Sequence, residues 1–395
     1  MADTPVRGDR IHFVDAMRGI LMLLGVVLHS AQVFNPGEPW RVESAQTSVL
    51  AHWLVTVIHT FRMPAFFVVA GFLFMVSFRS RGAAELLRDR VFRLVVPLLV
   101  VGFSLNVLQE WLLSTHDGEV FDPVALVVEG RWVSHLWFLV NLSVYTLLVV
   151  AVMEVVSPVL GAAGAPAWRR CASLLERVPP FVLLLVLSTW PVVVPLLSRV
   201  GLPVYENYLG FLRMFSLFEY LVYFVLGAVM AGAPGMFRRF CEQSVPAASA
   251  LLLAAVGGLY LLPEPDAQDL ADKVAFAYLN GLVIWAAVGL CFVFFRRCID
   301  KHSFWLEEAA RSSYSIYLFH HFVVVAVGLL VVVQYDIPPL PGMLLLIVVA
   351  TLVSLVLHYG VVKRFPVLML LLNGVRPHPR ARTATPPVAT GAGDT

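Results

Sequence analysis

The sequence predicts an all-α, polytopic membrane protein of about ten transmembrane helices, with both termini in the cytoplasm. Three observations carry that expectation. Of 395 residues, 59% are hydrophobic and only 14% charged, whereas a soluble domain carries about 25% charged residues; mean hydropathy is +0.82. The apolar residues gather into about ten runs, each long enough to cross ~30 Å of hydrocarbon. The basic residues collect in every second connection between those runs. The length would allow two or three soluble domains, yet no connection is long enough to hold one.

The first run, residues 13–34, is longer than a signal-peptide core and lacks a small-x-small cleavage site, so it is expected as a retained helix. It holds Arg18 and His29. Their spacing equals three helical turns plus about 20°, so both side chains point the same way, about 16 Å apart along the axis. The second run, 50–78, carries His59 and Arg62, which share a helix face, and Pro64. The third, 91–113, begins beside Arg88-Asp-Arg90-Val-Phe-Arg93. The fourth, 135–157, opens with His135, Trp137 and Asn141. The fifth and sixth, 179–199 and 209–233, are interrupted by Pro191, Pro195 and Arg213, and the sixth carries Glu219, Tyr220 and Tyr223. The seventh and eighth are 244–263 and 274–297. The ninth, 314–335, contains His320 and His321, whose directions differ by about 100°; only one of them is expected to face a shared site. The tenth is 341–362.

With the N-terminus inside, the inner segments collect most of the 28 Lys and Arg residues. Arg7, Arg10 and Arg18 come first, then Arg79, Arg81, Arg88, Arg90 and Arg93, then Arg169, Arg170 and Arg177. Arg238 and Arg239 follow, then Arg296, Arg297, Lys301 and Arg311, and finally Lys363, Arg364 and the tail arginines. The outer segments hold few, among them Arg41 and Arg131. This inside-positive bias fits an even number of spans in a cytoplasmic (inner) membrane. The implied division is a cytoplasmic N-terminus (1–12), a transmembrane domain (13–372) and a disordered cytoplasmic tail (373–395) rich in Pro, Arg, Thr, Ala and Gly. Cys171, Cys241, Cys291 and Cys298 lie toward the inner side, so no disulfide is expected.

Ionisable groups inside a membrane are costly and mark function by default. At the outer side, His29, His59, Arg62 and Glu219 reach similar depths and suggest a pocket, with His135, Trp137, Asn141 and Tyr223 nearby in depth. At the inner mouth, Arg18, Arg90 and Arg93 suit phosphate, which guanidinium forks bind in bidentate fashion. Plainer roles exist for each. Inner arginines snorkel to headgroups, a buried histidine hydrogen-bonds a neighbouring helix, and Arg62 can pair structurally with Glu219. Trp132, Trp137, Tyr205 and Tyr208 suit an interfacial belt. No HxxxH, HExxH or CxxC spacing occurs, so no metal is expected, and nothing points to nucleic acid.

These residues carry a resemblance. His12-Phe-Val-Asp15-Ala-Met-Arg18-Gly with His29 resembles the first-helix pattern of the membrane acyltransferase-3 family, a basic residue, ten residues and then His. His59-Thr-Phe-Arg62-Met-Pro-Ala-Phe-Phe-Val-Val-Ala-Gly71 is similar to a second-helix signature of its glucans biosynthesis protein C branch. Arg90-Val-Phe-Arg93 resembles the family's RxxR motif. His135-Leu-Trp-Phe-Leu, Tyr223-Phe-Val-Leu-Gly227 and Ser315-Ile-Tyr-Leu-Phe-His320-His321 follow in the expected order. No single motif is specific, but six in order across roughly 10–370 are specific together.

The resemblance implies O-acyl transfer from cytosolic acyl-CoA to a sugar hydroxyl at the outer face, with no tightly bound cofactor. In the closer branch it implies succinyl-CoA as donor, with acetyl-CoA the alternative, and an osmoregulated periplasmic glucan as acceptor. Chemistry then suggests the roles. His29 acts as general base, because imidazole exchanges protons near neutrality. Asp15 orients Arg18, and Glu219 helps to stabilise charge. Arg18, Arg90 and Arg93 hold the donor phosphates. His59, Arg62, His135, Trp137, Asn141, Tyr223, His320 and His321 bind the acceptor or the acyl group. The alternative is a secondary transporter of a small anionic or glycan substrate, which also carries intramembrane charge and broken helices. Against it, no internal repeat is visible and the charges divide into an inner and an outer set.

Overall fold

In lipid an apolar chain must satisfy its own backbone, and a helix does so within one segment. The computed structural model describes residues 11–37, 39–264, 269–300 and 303–375; the expected tail lies almost wholly outside them, as does the start of the N-terminal segment. In chain order the helices are α1 (His12–Gln32), α2 (Val49–Arg81), α3 (Ala83–Arg90), α4 (Val96–Gly102), α5 (Leu105–Asp117), α6 (Pro123–Val128), α7 (Trp137–Leu175), α8 (Pro180–Leu187) and α9 (Trp190–Arg199). A two-stranded antiparallel hairpin follows, β1 (Asn207–Tyr208) and β2 (Leu212–Arg213). Then come α10 (Met214–Gly232), α11 (Pro234–Cys241), α12 (Val245–Tyr260), α13 (Leu270–Cys298), α14 (Phe304–Val327), α15 (Pro339–Leu357) and α16 (Pro366–Asn373). Among the described residues, nine spans are long and apolar enough to cross a membrane. The pair α11–α12, bent by 72°, makes a tenth.

The differences from the expected runs have local causes. The third run is not one rod. It passes through a π-helical turn at Val91–Val95 and breaks at Phe103–Ser104, which leaves α5 as a separate polar helix. Proline at its first turn starts α9, so the fifth run is two short helices. Arg213, expected within the sixth run, is corrected to a position outside it. It pairs with Asn207 in the hairpin, turned by Gly210 at φ +73°, and α10 begins one residue later. Trp132, expected in an interfacial belt, is buried and packs over Gly102.

Three contacts place the functional helices. A Cβ on Gly19 would lie 2.7 Å from the Ala310 Cα, the Ser313 hydroxyl reaches the Met22 sulfur at 3.7 Å, and the His29 and His320 rings are 5.4 Å apart. Each pair has the same sequence offset, so α1 and α14 run parallel and in register. On the other side, α2 crosses α10 backbone to backbone. A Cβ on Gly71 would overlap the Phe224 carbonyl oxygen, and one on Gly227 would overlap the Val68 carbonyl oxygen. The small residues let the helices approach as transmembrane helices do at glycine contacts. Both glycines close motifs singled out in the sequence. Tyr145 and Trp190 donate to the Leu217 and Phe218 carbonyls at 2.6 and 2.8 Å, anchoring the first turn of α10.

Candidate active site

Toward the C-terminal ends of α1 and α14, four imidazoles converge. The His29 ring lies 5.4 Å from His320 and 4.8 Å from His321. The His135 ring lies 5.7 Å from His320 and is stacked on His321 at 4.4 Å. His135, expected at the start of a helix, sits in a single 3-10 turn, Ser134–Leu136. Asn106 of α5 holds that turn by donating to the Trp132 and Val133 carbonyls. Contrary to the expectation that only one of His320 and His321 faces the site, both do. His29 of α1 and His135 of the turn flank α14 closely enough for side chains about 100° apart to reach both.

Arg62 joins the cluster from α2. Its Nη1 lies 2.6 Å from where a Cβ on Gly25 would be, and the His320 Nε2 lies 3.6 Å from the same point. The absent side chain at Gly25 is the space these groups occupy. Arg62 is only 8% exposed; it has no ion-pair or hydrogen-bond partner among the described residues, and its buried Nε is unsatisfied. Both ring nitrogens of His135, the His320 Nε2 and the Gln109 Nε2 are likewise buried without partners. A dry protein interior seldom leaves so many polar groups unmet. Such a set, the Arg62 and Gln109 N–H donors beside the lone pair of His320, suits a ligand that brings both acceptor oxygens and hydroxyl donors.

His59 and Glu219 do not join. The buried face of α2 runs through Ala51, Val55, Ile58 and Arg62, so His59, about 100° from Ile58, is exposed. Glu219 lies among Tyr145, Tyr220 and Tyr223. Trp137, Asn141 and Tyr223 form a separate tier. Trp137 stacks near Tyr220 at 5.2 Å, Asn141 donates to Ser216 at 3.0 Å, and Tyr223 packs on Trp285 at 4.5 Å. Arg62 links the two tiers, being within electrostatic range of both Tyr220 and Tyr317.

The arginines expected at the inner mouth come together. Arg18, Arg81 and Arg93 all act on the charge of Arg90, and Arg90 lies over the Phe74 ring at 5.6 Å. Asp15 is 3.8 Å from Arg18, both side chains being partly exposed. It therefore belongs to the arginine set, far from His29. Arg93 sits in the π turn, where one extra residue re-aims side chains. There its carbonyl accepts from Tyr314 at 2.6 Å. Between the two sets, Leu21, Met22, Met63 and Phe66 are buried.

Several residues of the cluster escaped the sequence reading. Gln32 contacts His29, Gln109 contacts His321, and Trp40 stacks on His29 at 5.6 Å and 20°. Glu110, 4% exposed, pairs with Arg41 and, at 3.4 Å, with Arg131. That carboxylate ties the loop bearing Trp40 to the loop leading to His135. It lies inside an apolar run, so the rule that singled out Arg18 would have found it. Gln32, Gln109 and Trp40 carry no such signal. No group of three or more His, Cys, Asp or Glu among the described residues is arranged to hold a metal ion.

With this geometry in place, comparison with known proteins is informative. A family model described as Acyltransferase domain matches residues 11–359. Glucans biosynthesis protein C of Escherichia coli strain K12 is 28% identical over 331 residues, covering 80% of this chain and 83% of that protein. The proteins of the same name from Escherichia coli O81 (strain ED1a) and O1:K1 / APEC are similar to this chain at the same identity and coverage. No solved structure matches.

Proposed function

Because the chain belongs to the acyltransferase-domain family whose model spans its membrane helices, we propose that it moves an acyl group from cytosolic acyl-CoA to a glycan hydroxyl outside the cytoplasmic membrane. The observation that carries this reading is the division of cations between the two ends of α1. Exposed and half-buried guanidiniums gather at one end, and a half-buried imidazole sits among unmet polar groups at the other. A transporter with one midplane site has no need of two such sets.

Arg18, Arg90 and Arg93 take the nucleotide phosphates, and the acyl-pantetheine arm runs along α1 toward His29. Its path passes Met22 and Met63, whose flexible side chains can yield to it. The His29 Nε2 removes the proton from the glycan hydroxyl as its oxygen attacks the thioester carbonyl. Arg62 meets the oxyanion that forms, with the His135 ring, neither of whose nitrogens has another partner, as a second N–H donor. The C–S bond then breaks, and the proton on Nε2 passes to the departing thiolate. The products are a glycan ester and free coenzyme A, with no covalent enzyme intermediate needed.

Succinyl is favoured over acetyl as the group transferred. A succinyl chain brings a free carboxylate for Arg62, which has no acidic partner among the described residues, and acetyl brings none. A glucan is the acceptor favoured by the names of the relatives, and an osmoregulated periplasmic one is what the resemblance of the motifs implies. Mass spectrometry of extracytoplasmic glucans from cells with and without the protein tests the whole reading. A +succinyl ester that depends on the protein is expected; an identical ester pattern in both overturns it.

The inner site makes its own prediction. Arg90→Ala and Arg93→Ala should each raise KM for acyl-CoA by about tenfold or more, in line with ~1.5–3 kcal/mol for a hydrogen bond to a charged group, with little change in kcat. Unchanged KM would reduce both arginines to lipid anchors.

A further inference from the structure

We propose that Gln32 is the positioning residue of the transfer reaction, fixing the ring of His29 so that Nε2 is the nitrogen that takes the acceptor's proton. This rests on the transfer reading above. His29 and Gln32 are one helical turn apart on the same face of α1, and the His29 Nδ1 lies 2.7 Å from the Gln32 amide oxygen. That oxygen can only accept, so Nδ1 carries the proton and Nε2 is left with its lone pair. Trp40 stacks on one face of the ring, and His321 meets it edge-on. The ring is held in its plane as well as in its tautomer.

The arrangement also separates His29 from its three neighbours. The Nδ1 of His320 faces the Ile316 and Tyr317 carbonyls at 3.0 and 2.8 Å, and that of His321 faces the Gln109 amide oxygen at 2.7 Å. Both rings are therefore oriented, but they are 0% and 2% exposed. His135 is buried and has no partner at either nitrogen. Of the four, only His29 combines an oriented ring with partial exposure. The logic is that of a base held by a third group, with a neutral amide in place of the usual carboxylate. The amide aligns the imidazole without adding a charge to the membrane interior.

The test uses the full-length protein in liposomes with succinyl-CoA and a soluble β-glucan. Gln32→Leu removes the acceptor oxygen; Gln32→Glu keeps one. For Gln32→Leu, kcat should fall about 10- to 100-fold, part of the 10²–10⁴ that a positioned base supplies, with KM for succinyl-CoA unchanged. Gln32→Glu should retain most of kcat. Wild-type turnover by Gln32→Leu overturns the proposal, as does a monodisperse Gln32→Glu protein as inactive as Gln32→Leu. Nitrogen NMR of histidine-labelled protein, with His29 assigned through His29→Asn, reads the tautomer without turnover. Protonated Nδ1 in the wild type supports the proposal, and protonated Nε2 overturns it. An inactive wild type with protonated Nδ1 would instead fault the choice of donor or acceptor.

Discussion

Replacing His29 with alanine should abolish acyl transfer and leave the protein folded. A general base contributes on the order of 10²–10⁴ in rate, and no neighbour can take over. His320 and His321 are sealed in the interior, and His135 has nothing to orient it. Stability should be little affected. The ring is half-buried and gives up only its stacking on Trp40 and its contacts with Gln32 and the two histidines of α14. The measurement is the ester content of glucans in cells expressing His29→Ala at the wild-type level, beside the elution profile of the detergent-solubilised protein. Full esterification would remove His29 from the chemistry.

The second large effect is structural. Gly71→Ala or Gly227→Ala places a methyl group where the facing backbone already stands, at the Phe224 and Val68 carbonyls respectively. No side chain can move aside, so α2 and α10 must separate. Overpacking of this kind costs about 1–3 kcal/mol, and a backbone obstacle belongs at the upper end. Against a net stability of about 5–15 kcal/mol, each variant should lose several degrees in apparent Tm and much of its monodisperse yield. Gly257→Ala is the control, since nothing lies within 4 Å of a Cβ there. Alanine is the better helix former by about 1 kcal/mol, so that variant should match or exceed the wild type. Equal stability across all three would mean that the crossing is looser than described.

Much of this was legible in the sequence because bilayer thickness fixes how long an apolar run must be. Arg18 and His29 were found by charge in an apolar setting, and Arg90 with Arg93 by their spacing. What the sequence could not supply was neighbourhood. His59 and Arg62 look equivalent by spacing, yet Ile58 rather than His59 lies on the buried face of α2. His320 and His321 look mutually exclusive until α1 and the 3-10 turn are seen on either side of them. Gln32 and Gln109 are neutral, so nothing in a single sequence marks them. Arg213 misled because charge near an apolar run reads as part of it, whereas a glycine turn and a two-residue hairpin keep it outside.

The locked register of α1 and α14 has one further effect. Arg18 and His29 ride on one unbroken helix, which fixes the gap of about 16 Å between them, and Gly19 against Ala310 and Met22 against Ser313 hold the α14 histidines at the far end of that gap. The protein thus acts as a caliper. Any molecule anchored at the arginines must bring its own reach, and a carrier arm shorter than the caliper arrives out of range however reactive its thioester.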